Sequence, residues 1–148
     1  MRFRILLCAL IVTLAVSSTL TAHASTCSNA TIRGTYAFTV HGQIYLPDGS
    51  PALVVNGIAK TTFDGNGGLT QVDAVATNGA VVPGWRPGTG TYSVNADCTG
   101  TMTIVNENMP PLNLQILVAQ SGQTIHTVVI DPGSAVTSDA ERVHTAKR

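Results

Sequence analysis

The sequence has few charged and few aromatic residues: 11% are Asp, Glu, Lys or Arg, and 5% are Phe, Trp or Tyr. Acidic and basic residues are equal in number, eight of each, and the basic ones form no cluster along the chain. Because nucleic acids are bound mainly through clustered Lys and Arg side chains, we expect no nucleic-acid partner. The polarity comes mostly from uncharged residues, which indicate no particular substrate.

The sequence also lacks the short motifs of the common enzyme classes. It has no G-x-S-x-G nucleophile elbow, no phosphate-binding loop and no dinucleotide fingerprint. It has no HxH, HExxH or CxxC spacing either, so we predict no metal site and no cofactor. No catalytic residue is assigned. The sequence leaves open whether the protein is an enzyme and favours a non-catalytic one.

The first 24 residues have the order of a secretory signal peptide. Arg2 and Arg4 precede a short apolar run, and Ala22-His23-Ala24 provides a small-x-small cleavage site. The run is shorter than the roughly 20 residues that span a bilayer. We predict a signal peptide over residues 1–24 and a secreted or periplasmic mature chain that begins at Ser25, with no membrane contact after cleavage.

Cysteine is scarce, with three residues in the chain. Cys8 lies in the predicted signal peptide, which leaves Cys27 and Cys98 as a pair in an oxidising compartment. An even pair in such a compartment predicts a disulfide. This bond would tie the start of the mature chain to the turn in the sequence NADCTG.

Alternation of apolar and polar residues dominates the mature chain, and no segment of ten residues or more has a helical period. From Thr31 to Leu46 the alternation places Tyr36 and Phe38 on one face, as expected for a half-buried strand. Each of the two Gly-Thr-Tyr sequences is expected to start a strand with an inward ring. Further strands, separated by turn sequences such as DGNGG, are predicted over residues 52–63, 69–78, 89–96, 101–108, 112–120 and 123–131.

The architecture predicted from these strands is a single all-β domain over residues 25–148. Consecutive strands lie close enough to form hairpins, which favours an antiparallel up-and-down barrel of about eight strands, since closure removes the exposed edges. A two-sheet sandwich is the alternative. The residues after about 135 are either a closing strand over 135–143 or a frayed tail.

Three segments together resemble a known pattern: GTYAF after a cysteine, FDGNGGL, and GTYSVNADCTGTM. The pattern is similar to that of small secreted bacterial proteins of largely unknown function with a calycin-like or allene-oxide-cyclase-like barrel. Calycins often begin with Gly-x-Trp, and Gly34-Thr35-Tyr36 occupies the comparable place. The resemblance implies a fold and assigns no catalytic residue.

The segment VVPGWRPG is the most informative loop, because loops at a barrel rim often carry function. It contains the only tryptophan, Trp85, followed by Arg86. Together with the inward rings Tyr36, Phe38 and Tyr92, these two residues are the predicted ligand contacts. Trp85 could also cover the barrel end as a packing residue.

We consider three functions. The first is non-catalytic binding of a small apolar or mixed ligand in the barrel, where small inward residues would leave room: Gly34, Gly42, Gly57, Ala59, Ala74 and Ala76. The second is an extracellular interaction module with a filled core and an apolar patch near Trp85. The third is a small cyclase or isomerase acting in the barrel cavity.

Overall fold

The computed structural model describes residues 26–144, so the predicted signal peptide and cleavage site lie outside the described residues. Two short 3-10 helices are present, η1 (Asn29–Ile32) and η2 (Gln120–Gly122). Within residues 26–144, no helix is long and apolar enough to cross a membrane. The strands are β1 (Gly34–Tyr45), β2 (Pro51–Phe63), β3 (Gly68–Thr77), β4 (Ala80–Val81), β5 (Arg86–Val94), β6 (Thr99–Asn106), β7 (Leu112–Ala119), β8 (Thr124–Val129) and β9 (Ser134–Arg142).

Eight strands form a closed antiparallel barrel in the order β1, β2, β3, β5, β6, β7, β8, β9, and β9 returns to pair with β1. The predicted all-β up-and-down barrel is confirmed, and the sandwich alternative is wrong. Within the described residues, Ser134–Arg142 form the closing strand and not a frayed tail, because β9 pairs with both β1 and β8. Closure pairs each of the eight strands on both sides, and the alternation along each strand separates an inward face from an outward one.

The ninth strand, β4, continues the path of β5. Both pair with the same edge of β3: Arg86 of β5 lies opposite Asp73, and Val81 of β4 lies opposite Ala76. Residues 82–85 therefore leave the sheet between two segments that share one neighbour. This bulge contains Pro83, which cannot donate to a strand ladder, and Gly84, which has a φ of 89°.

The two ends of the barrel differ. One end, which we call the sealed end, is covered by η1, η2 and the segment that carries Cys27. Cys27 and Cys98 form the predicted disulfide there, with 5.0 Å between their Cα atoms. The other end, the loop end, carries the connections 46–50, 78–85, 107–111 and 130–133.

Three rings fill the barrel next to the sealed end. The Phe63 ring stands edge-on between Tyr36 and Tyr92, with centroid distances of 5.5 Å and 4.9 Å. Such edge-to-face pairs add to the hydrophobic gain from burying the rings. Ile32 of η1 is fully buried in the same core cluster, so η1 packs directly on the aromatic core.

Three local predictions were wrong. The second Gly-Thr-Tyr lies near the end of β5 and does not start a strand, although Tyr92 does point inward. The first strand begins at Gly34, because the preceding residues form η1. In β3 the expected inward residues Ala74 and Ala76 face outward, since the register pairs Ala74 with the exposed Ile58.

Candidate functional site

The five predicted ligand contacts do not form one site. Tyr36, Phe38 and Tyr92 lie in the buried core, and Phe63 contacts all three rings. Trp85 and Arg86 lie at the loop end. Whether any of the five binds a ligand stays a prediction.

The two core tyrosines use their hydroxyl groups to hold the sealed end. Tyr36 donates to the carbonyl of Gly122 in η2. Tyr92 donates to the carbonyl of Asn29, 3.2 Å away, and accepts from the backbone N–H of Gly65. Burial raises the pKa of both phenols, so they remain neutral donors at ordinary pH.

Three of the glycines on the inward register lie very close to neighbouring atoms. A Cβ at Gly42 would lie 2.3 Å from the carbonyl oxygen of Ala135, and one at Gly57 would lie 2.9 Å from that of Ala74. A Cβ at Gly34 would lie 2.6 Å from the Arg142 guanidinium. These glycines allow close approach of neighbouring strands or of a side chain. The expectation that these residues leave room for a ligand stays a prediction.

A buried carboxylate lies on the inner wall towards the loop end. Asp73 is the only charged residue among the buried residues of the described chain, and it accepts three hydrogen bonds. Its Oδ1 accepts from Arg86 Nε at 2.7 Å, and its Oδ2 accepts from Gln71 Nε2 at 3.1 Å and Asn106 Nδ2 at 3.2 Å. Gln71 in turn accepts from Thr61 at 3.1 Å. A buried charge needs such partners, because an unpaired one is costly.

Register explains how these side chains meet. Asp73 of β3 lies opposite Arg86 of β5, and Gln71 lies opposite Gly88. Gly88 in turn lies opposite Asn106 of β6, whose amide occupies the space beside this glycine. Directly paired residues point to the same side of a sheet, so three adjacent strands direct one polar cluster into the barrel.

Arg86 lies where the barrel interior meets solvent, and its side chain is 31% exposed. Leu53 of β2 and Leu112 of β7 also face inward at this end and are 37% and 38% exposed. In contrast, Tyr36 near the sealed end is fully buried. We call the set of Arg86, Leu53, Leu112 and Met109 the mouth; the Met109 sulfur lies 3.5 Å from Arg86 Nη1.

Several exposed apolar side chains lie at the same end. They include Val81, Val82 and Trp85 at the β4–β5 bulge, which we call the outer patch, together with Leu46 and Ile130. Trp85 is 57% exposed, so it does not plug the barrel. Exposed apolar side chains are a sign of an interaction site where they form one contiguous surface.

Two surface concavities accompany these features. One of about 420 Å³ lies beside the mouth, between the start of β5 and the 106–109 segment, and it is lined by Gly88, Asn106 and Met109 among others. A larger one of about 640 Å³ lies on the outer wall of β6, β7 and β8 and includes His126 and Leu117. His126 contacts Asp139 there at 2.6 Å, on an exposed part of the wall.

Neither the turns nor the histidines form a metal site in the part of the chain that the structure describes. Within residues 26–144 no group of three or more His, Cys, Asp or Glu side chains could hold a metal ion. The Asp64 Oδ1 atom accepts from the backbone N–H groups of Asn66, Gly67 and Gly68. This carboxylate stabilises the DGNGG turn, as the sequence DGNGG predicts.

Comparison with known proteins gives no relative: no protein-family model, no curated protein and no solved structure matches the chain. The resemblance of the Gly-Thr-Tyr and turn segments to calycin-like secreted proteins therefore stays a prediction. The candidate site rests on geometry alone.

Asp73, Gln71 and Asn106 are the site residues that sequence reasoning missed. Phe63 and Leu69 flank the DGNGG turn and lie opposite each other. Extending that register along β3 places Gln71 and Asp73 inside. The position of the DGNGG turn between Phe63 and Leu69 was therefore the sequence signal for the inner face of β3. The small apolar residues on the opposite face suggested the reverse orientation.

Proposed function

We propose that the protein is a secreted or periplasmic, non-catalytic binding protein that takes a small apolar or mixed ligand at the mouth of its barrel. The observation that carries this proposal is the position of Arg86. Its guanidinium is anchored on buried Asp73, is partly exposed, and lies among inward apolar side chains that solvent can reach. A few placed polar groups in an apolar concavity are typical of ligand sites.

The binding position differs from the one that the sequence suggested. The interior below the mouth is lined by residues that are closed off from solvent, such as Val55, Ile104 and Leu114. A ligand seated at the mouth needs no channel through this layer. The proposal therefore keeps the ligand class and moves its site from the barrel interior to the loop end.

The same geometry argues against catalysis at this position. Both oxygens of Asp73 are already engaged, with Arg86 on one and two amide groups on the other. A general base needs an oxygen within hydrogen-bond reach of the proton that it removes. Asp73 is arranged to hold Arg86 rather than to accept a proton from a substrate.

Secretion is supported by the disulfide and by the order of the first 24 residues. Stable disulfides form in oxidising compartments, and Cys27 lies just after the predicted cleavage site. A mature chain that begins at Ser25 and carries this bond is what we expect in the culture medium or the periplasm.

Native mass spectrometry of the protein purified from its own culture tests the proposal. We expect a mature mass beginning at Ser25, short by two hydrogens, and an extra mass that is lost on denaturation. Arg86→Gln should lose the extra mass, whereas Arg33→Gln, the same change at the sealed end, should keep it. A bare protein that still binds nothing from a fractionated culture extract would contradict the proposal.

A second candidate function is an extracellular interaction module. The observation that favours it is the outer patch, where Val81, Val82 and Trp85 are each more than half exposed. This function predicts self-association or a protein partner through the patch. A dimer in native mass spectra that Trp85→Ser dissociates, with no bound small molecule, would favour it over ligand binding.

A further inference from the structure

Arg86 and Asp73 do not form the usual arginine–carboxylate pair. A carboxylate facing an arginine often takes two parallel hydrogen bonds from the guanidinium. Here Asp73 Oδ1 accepts from Nε, and Oδ2 is turned towards Gln71 and Asn106. Among the described residues, Asp73 is the only carboxylate in contact with Arg86. The Nη1–Nη2 edge of the guanidinium thus has no carboxylate partner.

The hydrogen bond between Arg86 Nε and Asp73 also fixes the orientation of the Nη1–Nη2 edge. Nε is held at 2.7 Å from a carboxylate that three neighbouring strands support. Two amide donors also hold Asp73, so the position of its carboxylate does not depend on Arg86 alone. The guanidinium is therefore presented in a set orientation, which lowers the entropic cost of binding a planar acceptor.

The surroundings of the Nη edge are apolar and shallow. Met109 Sδ lies 3.5 Å from Nη1, and Leu53 and Leu112 face the same opening from either side. The layer beneath is closed by buried side chains, Val55 and Ile104 among them. A long alkyl chain would find no path inward, whereas a compact apolar group could cover the exposed parts of these side chains.

Charge at the loop end limits the ligand further. Asp48, Glu107 and Asp131 lie in the loops around the mouth, and Arg86 is the one basic side chain among the described residues of this end. Negative charges around a site disfavour a multiply charged anion more than a singly charged one. A single carboxylate fits this balance better than a phosphate.

We propose that the mouth binds a small monocarboxylate with a compact apolar body, whose carboxylate takes two hydrogen bonds from the Nη1–Nη2 edge of Arg86. The apolar body lies on Met109, Leu53 and Leu112. This inference deepens the proposed function and rests on it, because it names the class of ligand for the same site.

Three probes separate the parts of the proposal: phenylacetate, its neutral analogue 2-phenylacetamide, and acetate. Each is titrated into the disulfide-bonded protein, with the NMR signals of the Met109 methyl group and the Arg86 Nε–H as readouts. We expect phenylacetate to bind about tenfold to a hundredfold more tightly than 2-phenylacetamide, as for a charge-assisted hydrogen bond. Acetate should bind more weakly than phenylacetate because it lacks the apolar body.

Variants of Arg86 give the controls. Arg86→Gln should remove the preference for phenylacetate, and Arg86→Lys should keep part of it, since lysine has the charge without the planar fork. Arg33→Gln should bind as the unmodified protein does. Arg86→Gln leaves the buried Asp73 carboxylate without its cation and could therefore fail to fold. In that case the double variant Asp73→Asn/Arg86→Gln, which has neither charge, is measured in place of the single variant.

The outcomes separate this inference from the proposed function. Equal affinity for phenylacetate and 2-phenylacetamide would overturn the carboxylate assignment and leave ligand binding at the mouth intact. Equal affinity for acetate and phenylacetate would overturn the apolar part. If none of the probes shifts either signal in a saturable way, the carboxylate inference fails. The proposed function is judged separately by the mass lost on denaturation.

Discussion

Arg142 lies over the ring of Tyr36, with its guanidinium carbon 4.8 Å from the ring centroid. The two residues are paired across β9 and β1, at the point where the barrel closes. The guanidinium also donates to the carbonyl groups of Thr31, Arg33 and Gly122, which belong to segments outside the strands. One side chain thus joins the closing strand to both covering helices.

Replacing Arg142 should therefore destabilise the whole fold. Arg142→Gln removes charged hydrogen bonds to several carbonyls and the contact with the Tyr36 ring, and we expect a loss of about 2–4 kcal/mol in the free energy of unfolding. Urea unfolding followed by circular dichroism measures it. Arg33→Gln is the matched control, with an expected change within about 0.5 kcal/mol. Equal stability of the two variants would contradict this role.

The disulfide should add a similar amount to the free energy of unfolding, because it restricts the unfolded chain. Cys27 and Cys98 are 71 residues apart, and closing a loop of that length stabilises the folded state by about 4 kcal/mol in the chain-entropy model. The double variant Cys27→Ser/Cys98→Ser should lose this amount in denaturant unfolding. Its stability should not respond to a reductant, whereas that of the unmodified protein should. A loss below about 1 kcal/mol would show that the bond adds little.

Replacing two alanines by leucine, one at an inward position and one at an outward position, tests whether the barrel interior is filled. Ala59 points inward and is buried, whereas Ala74 on the neighbouring strand points outward. Ala59→Leu should cost about 1–3 kcal/mol through overpacking, and Ala74→Leu should change stability by about 0.5 kcal/mol or less. Thermal unfolding of both variants measures these changes in stability. If Ala59→Leu is tolerated and Ala74→Leu is not, the assigned faces of β2 and β3 are wrong.

Acid should destabilise the protein through its turns. Backbone N–H groups of Asn66 and Gly68 hold the pKa of Asp64 below its ordinary value of 3.8, and hydrogen bonds from Thr99 do the same for Asp97. The folded state therefore binds protons more weakly than the unfolded state at these groups. Their stabilising contribution is complete above the unfolded pKa and is lost as the pH falls through the lower folded values.

Melting temperatures measured from pH 7 down to pH 2 check this prediction. We expect the contribution of these groups to be constant above about pH 5 and to decrease below about pH 4. Asp64→Asn should be less stable at neutral pH and should show a smaller decrease in acid. An unchanged acid profile in this variant would mean that Asp64 has no part in the transition.

Much of the fold could be predicted because it depends on local patterns. The turn DGNGG and the alternation in β1 and β2 lie within a few residues of one another, and antiparallel neighbours in a barrel are also neighbours in sequence. The pairing of Cys27 with Cys98 followed from the count of cysteines. These features need no knowledge of distant contacts.

The candidate site was harder to predict because it depends on which face of β3 is inside. Leu69 and Val75 of the inner face share it with Gln71 and Asp73, whereas the outer face carries Val72 and the two alanines. Hydrophobicity alone therefore predicts that the outer face of β3 points into the barrel, which is wrong. The inner face is identified by the register of Leu69 with Phe63 and by the contacts of Asp73 with Arg86 and Asn106, and these two contacts depend on pairing with β5 and β6.

The bulge between β4 and β5 has a consequence for how this protein can change. Residues 82–85 leave the sheet and return to the same neighbour, so the paired segments on both sides stay in place whatever lies between them. Insertions or exchanges in this segment would alter the surface that includes Trp85 without changing the register of the barrel. The molecule thus has a place where new recognition properties can arise by small changes in length and composition, while the scaffold that presents them is retained.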